Sequence, residues 1–157
     1  MTEMKHDWIK GSGKIIYDPA RPGLKKRPEK WCIITVDREL TRYFRWWVDK
    51  MYLNPLGLDK NGLCQPSWDA HISVIRGLND LRHARSDWKD FWKKYHGETV
   101  DFEYSLTVRQ AGDTTGWDRP NAYWFVNVRC PKAMEIREEL ELRTNWSLHL
   151  TIGRTWE

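Results

Sequence analysis

Residues 71–76 read His-Ile-Ser-Val-Ile-Arg, and residues 149–154 read His-Leu-Thr-Ile-Gly-Arg. Polar and apolar residues alternate through the first four positions of each, the period-2 pattern of a strand with one buried face. Each hexapeptide ends a matching run. Residues 31–36 are β-rich and residues 37–52 place Leu40, Phe44, Trp47, Val48 and Met51 at helical spacing ahead of the first; residues 122–130 and then 131–142 precede the second. Residues 31–77 and 122–154 thus share one strand-helix-strand plan, and the chain reads as a diverged duplication rather than a solenoid repeat.

At 157 residues there is room for one domain. Pro19, Pro22, Gly23 and Pro28 break regular structure ahead of it. Residues 1–30 carry eight Lys or Arg against four Asp or Glu, which is the whole net charge of +4, since the remaining residues hold eighteen of each. These residues are expected to form a basic N-terminal arm that meets something anionic, ahead of a domain spanning 31–157. Residues 54–66, within the first repeat, read as a loop; between the repeats, 84–95 read as a charged helix, 100–110 as a long strand and 112–120 as another loop. Pro131 suits the first position of the last helix.

Residues i and i+2 of a strand point the same way, so His71 stands beside Ser73, and His149 beside Thr151. If the halves pack about a pseudo-twofold axis, two imidazoles and two hydroxyls reach a shared cleft. That set suits phosphodiester cleavage without a metal: a neutral imidazole takes a proton from the attacking oxygen, and a protonated one supplies the leaving oxygen. The hydroxyls would hold the non-bridging oxygens. Cys32, Cys64 and Cys130 form no CxxC pair, and two histidines on separate strands lack a third ligand nearby, so neither a disulfide framework nor a zinc site is expected, nor any other cofactor.

The paired His-x-Ser/Thr motifs on duplicated strand-helix-strand units resemble the 2H phosphoesterase superfamily over residues 31–154. The resemblance implies a bilobal α+β fold, with lobes at about 31–77 and 122–154 around a central cleft and 78–121 between them. It also implies that His71, Ser73, His149 and Thr151 are the catalytic set, although serine stands in the first motif where threonine is commoner. Beyond the superfamily, Gly11-Ser12-Gly13-Lys14-Ile15-Ile16-Tyr17-Asp18-Pro19, Trp31-Cys32-Ile33-Ile34 and the closing His149–Trp156 stretch resemble the phage anti-CBASS nucleases over nearly the whole chain. That narrower resemblance implies metal-independent hydrolysis of cyclic di- and trinucleotide immune signals in the host bacterial cytoplasm.

Tyr17 is expected to be an exposed aromatic that stacks on a base while Lys14 meets a phosphate, with the alternative that Tyr17 pins the arm to the domain. Trp156 would close the cleft over a base. Arg76 and Arg154 follow their histidines by five, which in a straight strand points them to the other face. His6, His83 and His96 lie in polar surroundings and read as surface residues. A 2′,3′-cyclic phosphodiesterase or RNA-end processing enzyme, and a non-catalytic nucleotide-binding sponge, are the competing functions. No apolar run is long enough to span a membrane, and no protein partner is indicated.

Overall fold

The computed structural model describes residues 8–19, 30–48, 50, 70–113, 121–145 and 147–154. Within them lie strands β1 (Trp8–Tyr17), β2 (Trp31–Thr35), β3 (His71–Arg76), β4 (Thr99–Asp113), β5 (Asn121–Arg129) and β6 (Leu148–Arg154). The helices are α1 (Arg38–Val48), α2 (Gly77–Leu81) and α3 (Pro131–Glu139). Among the described residues no helix is long and apolar enough to cross a membrane.

The strands do not form two strand-helix-strand lobes around a cleft. They close into one antiparallel barrel in the order β1-β2-β3-β6-β5-β4, with β4 returning to β1. The physical reason lies in residues 8–17, expected to belong to an arm ahead of the fold. They form a strand that pairs with β2 on one side and, from Trp8↔Ser105 to Lys14↔Thr99, with β4 on the other. An edge strand exposes unpaired N–H and C=O groups, and closing the sheet through β1 satisfies both edges at once. Gly11 and Gly13 make that closure fit. A Cβ on Gly11 would come within 2.8 Å of the Phe102 ring, and one on Gly13 would overlap the Thr35 carbonyl.

Within the barrel the element order contains two β-β-α-β runs, β1-β2-α1-β3 and β4-β5-α3-β6. Their order reverses at the β3/β6 seam, and the helices cross over: α1 packs on β6 and α3 on β3. Asp37 caps α1 by accepting the Glu39 N–H at 3.0 Å. The helix buries Thr41, Phe44 and Val48, and Arg45 donates to the Ile152 carbonyl at 3.1 Å. Pro131 opens α3 as expected, with Ala133, Ile136 and Arg137 buried beneath it. Phe44, Val48, Ala133 and Ile136 join Ile15, Ile34, Ile72, Val74, Val126, Leu150 and Ile152 of the strands in one core.

Residues 84–95 are not a helix. A short 3₁₀ turn at Trp88–Phe91 sits among turns there, and Lys93 takes a left-handed φ of 68° that no continuous helix tolerates. Trp88, Phe91 and Trp92 pack against the core from this irregular segment.

Candidate active site

The two histidine motifs are neighbours across the seam. Ile72 pairs with Leu150, so antiparallel register sets His71 opposite Thr151 and Ser73 opposite His149. Ile72 and Leu150 are fully buried in the core, whereas all four motif residues are half-buried on the opposite face. They form a square with the imidazoles on one diagonal and the hydroxyls on the other. Diagonal Cβ atoms on adjacent strands stand roughly 7–8 Å apart, and directly opposite ones about 4.5–5.5 Å.

Register extends the square into two rows across the sheet. One runs Lys14, Thr35, His71, Thr151, Phe125; the other runs Ile16, Ile33, Ser73, His149, Asn127. Lys14 is exposed, and its backbone N–H donates to Thr35 Oγ1 at 3.0 Å. It lies two strands from His71, about 10 Å at the usual strand spacing. Lys14 is therefore on the same face as the histidines, as a phosphate ligand would need to be.

Tyr17 is elsewhere. It shares the parity of Ile15, faces the core, and is 3% exposed. Its ring meets Trp92 edge-on at 4.9 Å, and its backbone N–H donates to His96 Nδ1 at 3.1 Å. Burial, with the Cys32 thiol beside it, pushes its hydroxyl well above the usual tyrosine range. An aromatic held this way cannot stack on a base; it pins β1 to the segment around Trp92. Trp156 lies outside the described residues, as does His6. His83 and His96 are exposed.

Arg76 is the residue that strand parity misplaced. The β2/β3 ladder runs Ile33↔Ser73 and then Cys32↔Ile75, so β3 carries an extra residue, Val74. This β-bulge turns both Val74 and Ile75 into the core and returns Arg76, which is exposed, to the face of His71 and Ser73. The second motif repeats the device: Phe125 pairs with Thr151 and Trp124 with Gly153, leaving Ile152 as the extra residue. The backbone at Arg154 therefore stands to His149 as that at Arg76 stands to His71.

His149 packs against the Phe125 ring at 4.3 Å between centroids. Its imidazole is held below the ordinary value of 6.5, first by burial and then by the positive charge of Arg76. It is thus neutral at pH 7, ready to accept a proton. Thr35, Phe125, Asn127 and Arg76 complete the surroundings of the square; of these the motif stretches contain only Arg76, which strand parity set on the other face. Asn127 also lines a groove of about 550 Å³ with Trp8, over whose ring the Arg129 guanidinium lies at 3.7 Å. Among the described residues no group of three or more His, Cys, Asp or Glu is assembled that could hold a metal ion.

Two imidazoles and two hydroxyls around one point, with a guanidinium near, can move two protons and hold two oxygens of a tetrahedral phosphorus. Comparison of the chain with family models, curated proteins and solved structures finds no match.

Proposed function

We propose that the chain is a metal-independent phosphodiesterase that opens cyclic di- and trinucleotides, acting on such signals in the cytoplasm of a bacterial host. The observation that carries the chemistry is the register at the seam, which sets each histidine opposite the hydroxyl of the other motif. The substrate class and setting rest on the resemblance of the chain to the anti-CBASS nucleases.

The scissile phosphate lies over the square. Neutral His149 takes the proton of the ribose 2′-OH as that oxygen attacks phosphorus, and protonated His71 gives its proton to the departing 5′-oxygen. The 2′-O–P bond forms, the P–O5′ bond breaks, and the ring opens to a 2′,3′-cyclic phosphate. The internal nucleophile brings the proximity advantage that bulk water lacks. The roles then reverse: His71, now neutral, takes a proton from water, His149 returns its proton to the 2′-oxygen, and a 3′-phosphate remains. Ser73, Thr151 and Arg76 hold the non-bridging oxygens as charge builds on them.

Incubation with a panel of cyclic di- and trinucleotides in excess chelator, followed by product identification, tests this directly. Linear products ending in 3′-phosphate, formed through a 2′,3′-cyclic intermediate and blocked by a 2′-deoxy sugar at the scissile linkage, are expected. Rings recovered intact after denaturation would make the protein a sponge. Products with 5′-phosphates would make water the direct nucleophile.

A further inference from the structure

Beside the square, at the end of β3, lies a second concavity. It has a volume of about 600 Å³ and is lined by Arg76, Arg82, His83, Arg137 and Arg143, with Asp80 and Glu141 among the other contributors. Four guanidiniums thus face one pocket that has two carboxylates. Asp80 is already taken, accepting from Arg137 Nη1 at 2.8 Å and from the Arg76 backbone N–H at 3.1 Å. Arg137 is 2% exposed and forms the pocket floor, where its Nε donates to the Arg143 carbonyl at 2.9 Å. That bond fixes the backbone from which the Arg143 side chain projects. Arg82 donates through Nε to His83 Nε2 at 3.2 Å, which leaves its two Nη groups as further donors. Among the described residues neither Arg82 nor Arg143 is ion-paired with a carboxylate.

A pocket of this kind, with positive charge exceeding its carboxylates on a fixed backbone, favours a planar or tetrahedral oxyanion, because guanidinium forks match such oxygens in pairs. Its position narrows the choice. Arg76, which the bulge returns to the face of His71 and Ser73, belongs both to this pocket and to the surroundings of His149, so the pocket adjoins the histidine site through Arg76.

We propose that Arg82 and Arg143, with His83 beside Arg82, bind a second, non-scissile phosphate of the same substrate. This rests on the phosphodiesterase reading, and it makes a specificity statement: the protein selects ligands with at least two phosphates. A cyclic di- or trinucleotide has that second phosphate, and a 2′,3′-cyclic mononucleotide lacks it.

The test uses the full chain and the double variant R82Q/R143Q, both substitutions lying on exposed side chains. With a cyclic dinucleotide the variant's KM should rise about 10- to 100-fold, the size expected for losing hydrogen bonds to a charged group, with kcat little changed. With a 2′,3′-cyclic mononucleotide its kinetics should stay within about twofold of wild type. Equal losses on both substrates, or no loss on either, overturn the proposal. A second measurement separates its failure from that of the phosphodiesterase reading. Inorganic phosphate is titrated into wild type and variant at low ionic strength while the arginine Nε–H resonances are followed. Saturable shifts at Arg82 and Arg143 in wild type, with a weakened phosphate response of the remaining pocket arginines in the variant, support the pocket even if neither nucleotide is cleaved, a result that would sink the phosphodiesterase reading alone. Absence of saturable shifts in wild type overturns the pocket even if the histidines cleave.

Discussion

Arg137 of α3 donates through Nη1 to the carbonyl of Val74, the residue that the bulge adds to β3, at 2.9 Å. The same guanidinium meets Asp80, whose carboxylate accepts the Arg76 N–H. A bulge leaves ladder groups unpaired, and here a buried side chain from the other half of the chain takes one of them. The helix of the second half thereby holds the kink that turns Arg76 toward the site.

Arg137→Met should therefore destabilise the fold by about 3–5 kcal/mol, since it strands the Val74 and Arg143 carbonyls and the Asp80 carboxylate that the buried guanidinium holds. Urea melts monitored by tryptophan fluorescence would measure it. A variant melting like wild type would show that the bulge holds itself.

His71→Ala and His149→Ala should each lower turnover by roughly 100- to 10,000-fold while leaving thermal melts close to wild type, because each removes one partner of a proton-transfer pair. Ser73→Ala and Thr151→Ala should cost less, since their hydroxyls hold oxygens without moving protons. Near-normal rates in either folded histidine variant would remove the square from the chemistry.

The pH profile should carry the mark of His149. Its imidazole must be neutral to accept a proton, and burial and Arg76 hold its pKa below 6.5, so activity should persist below that value before falling. Arg76→Gln removes the charge contribution, and the acid limb should move upward toward 6.5, whatever happens to the maximal rate. The same shift acts on stability: the folded state disfavours the protonated ring, so this contribution is full above the unfolded value and lost as pH falls through the lower folded one. An acid limb that stays in place in the Arg76 variant would mean that another group sets it.

Gly13→Ala should weaken the barrel by about 1–3 kcal/mol, because the added methyl meets the Thr35 carbonyl and the strands must part. Lower denaturation midpoints, with amide exchange hastened along β1, would be the readout. Unchanged exchange there would mean the strands give way without cost.

Tyr17→Ala should act on stability, with a loss of about 3–5 kcal/mol for truncating a large buried aromatic. At temperatures where the variant stays folded, nucleotide affinity should match wild type. A selective loss of affinity would return the ring to the ligand.

What could be read in advance followed from periodicity. The alternation of His71–Arg76 and Leu148–Arg154 gave away two strands, and the spacing of Phe44 and Val48 gave away α1. β1 was hidden because its glycines, which the barrel requires for close approach to Phe102 and Thr35, read as loop residues. Tyr17 was misplaced with it. The bulges did leave a trace: Val74-Ile75 breaks the alternation with an apolar pair, as Ile152-Gly153 does in the second motif. Two successive inward residues are what an extra residue produces, yet only pairing with β2 and β5 distinguishes that from a strand end. Closure of the barrel depends on contacts between β1 and β4, which lie far apart in sequence and carry no local signature.

The diagonal square has no front or back of its own. A half-turn about an axis between Ile72 and Leu150 exchanges the imidazoles and exchanges the hydroxyls, so a phosphodiester strand laid across them in either direction meets the same four groups. Direction must come from neighbours that the half-turn does not match: Thr35 flanks His71, while Asn127 flanks His149 and Phe125 lies against its ring. The difference between the two halves at those flanking positions, more than at the motifs, is what gives this surface a polarity.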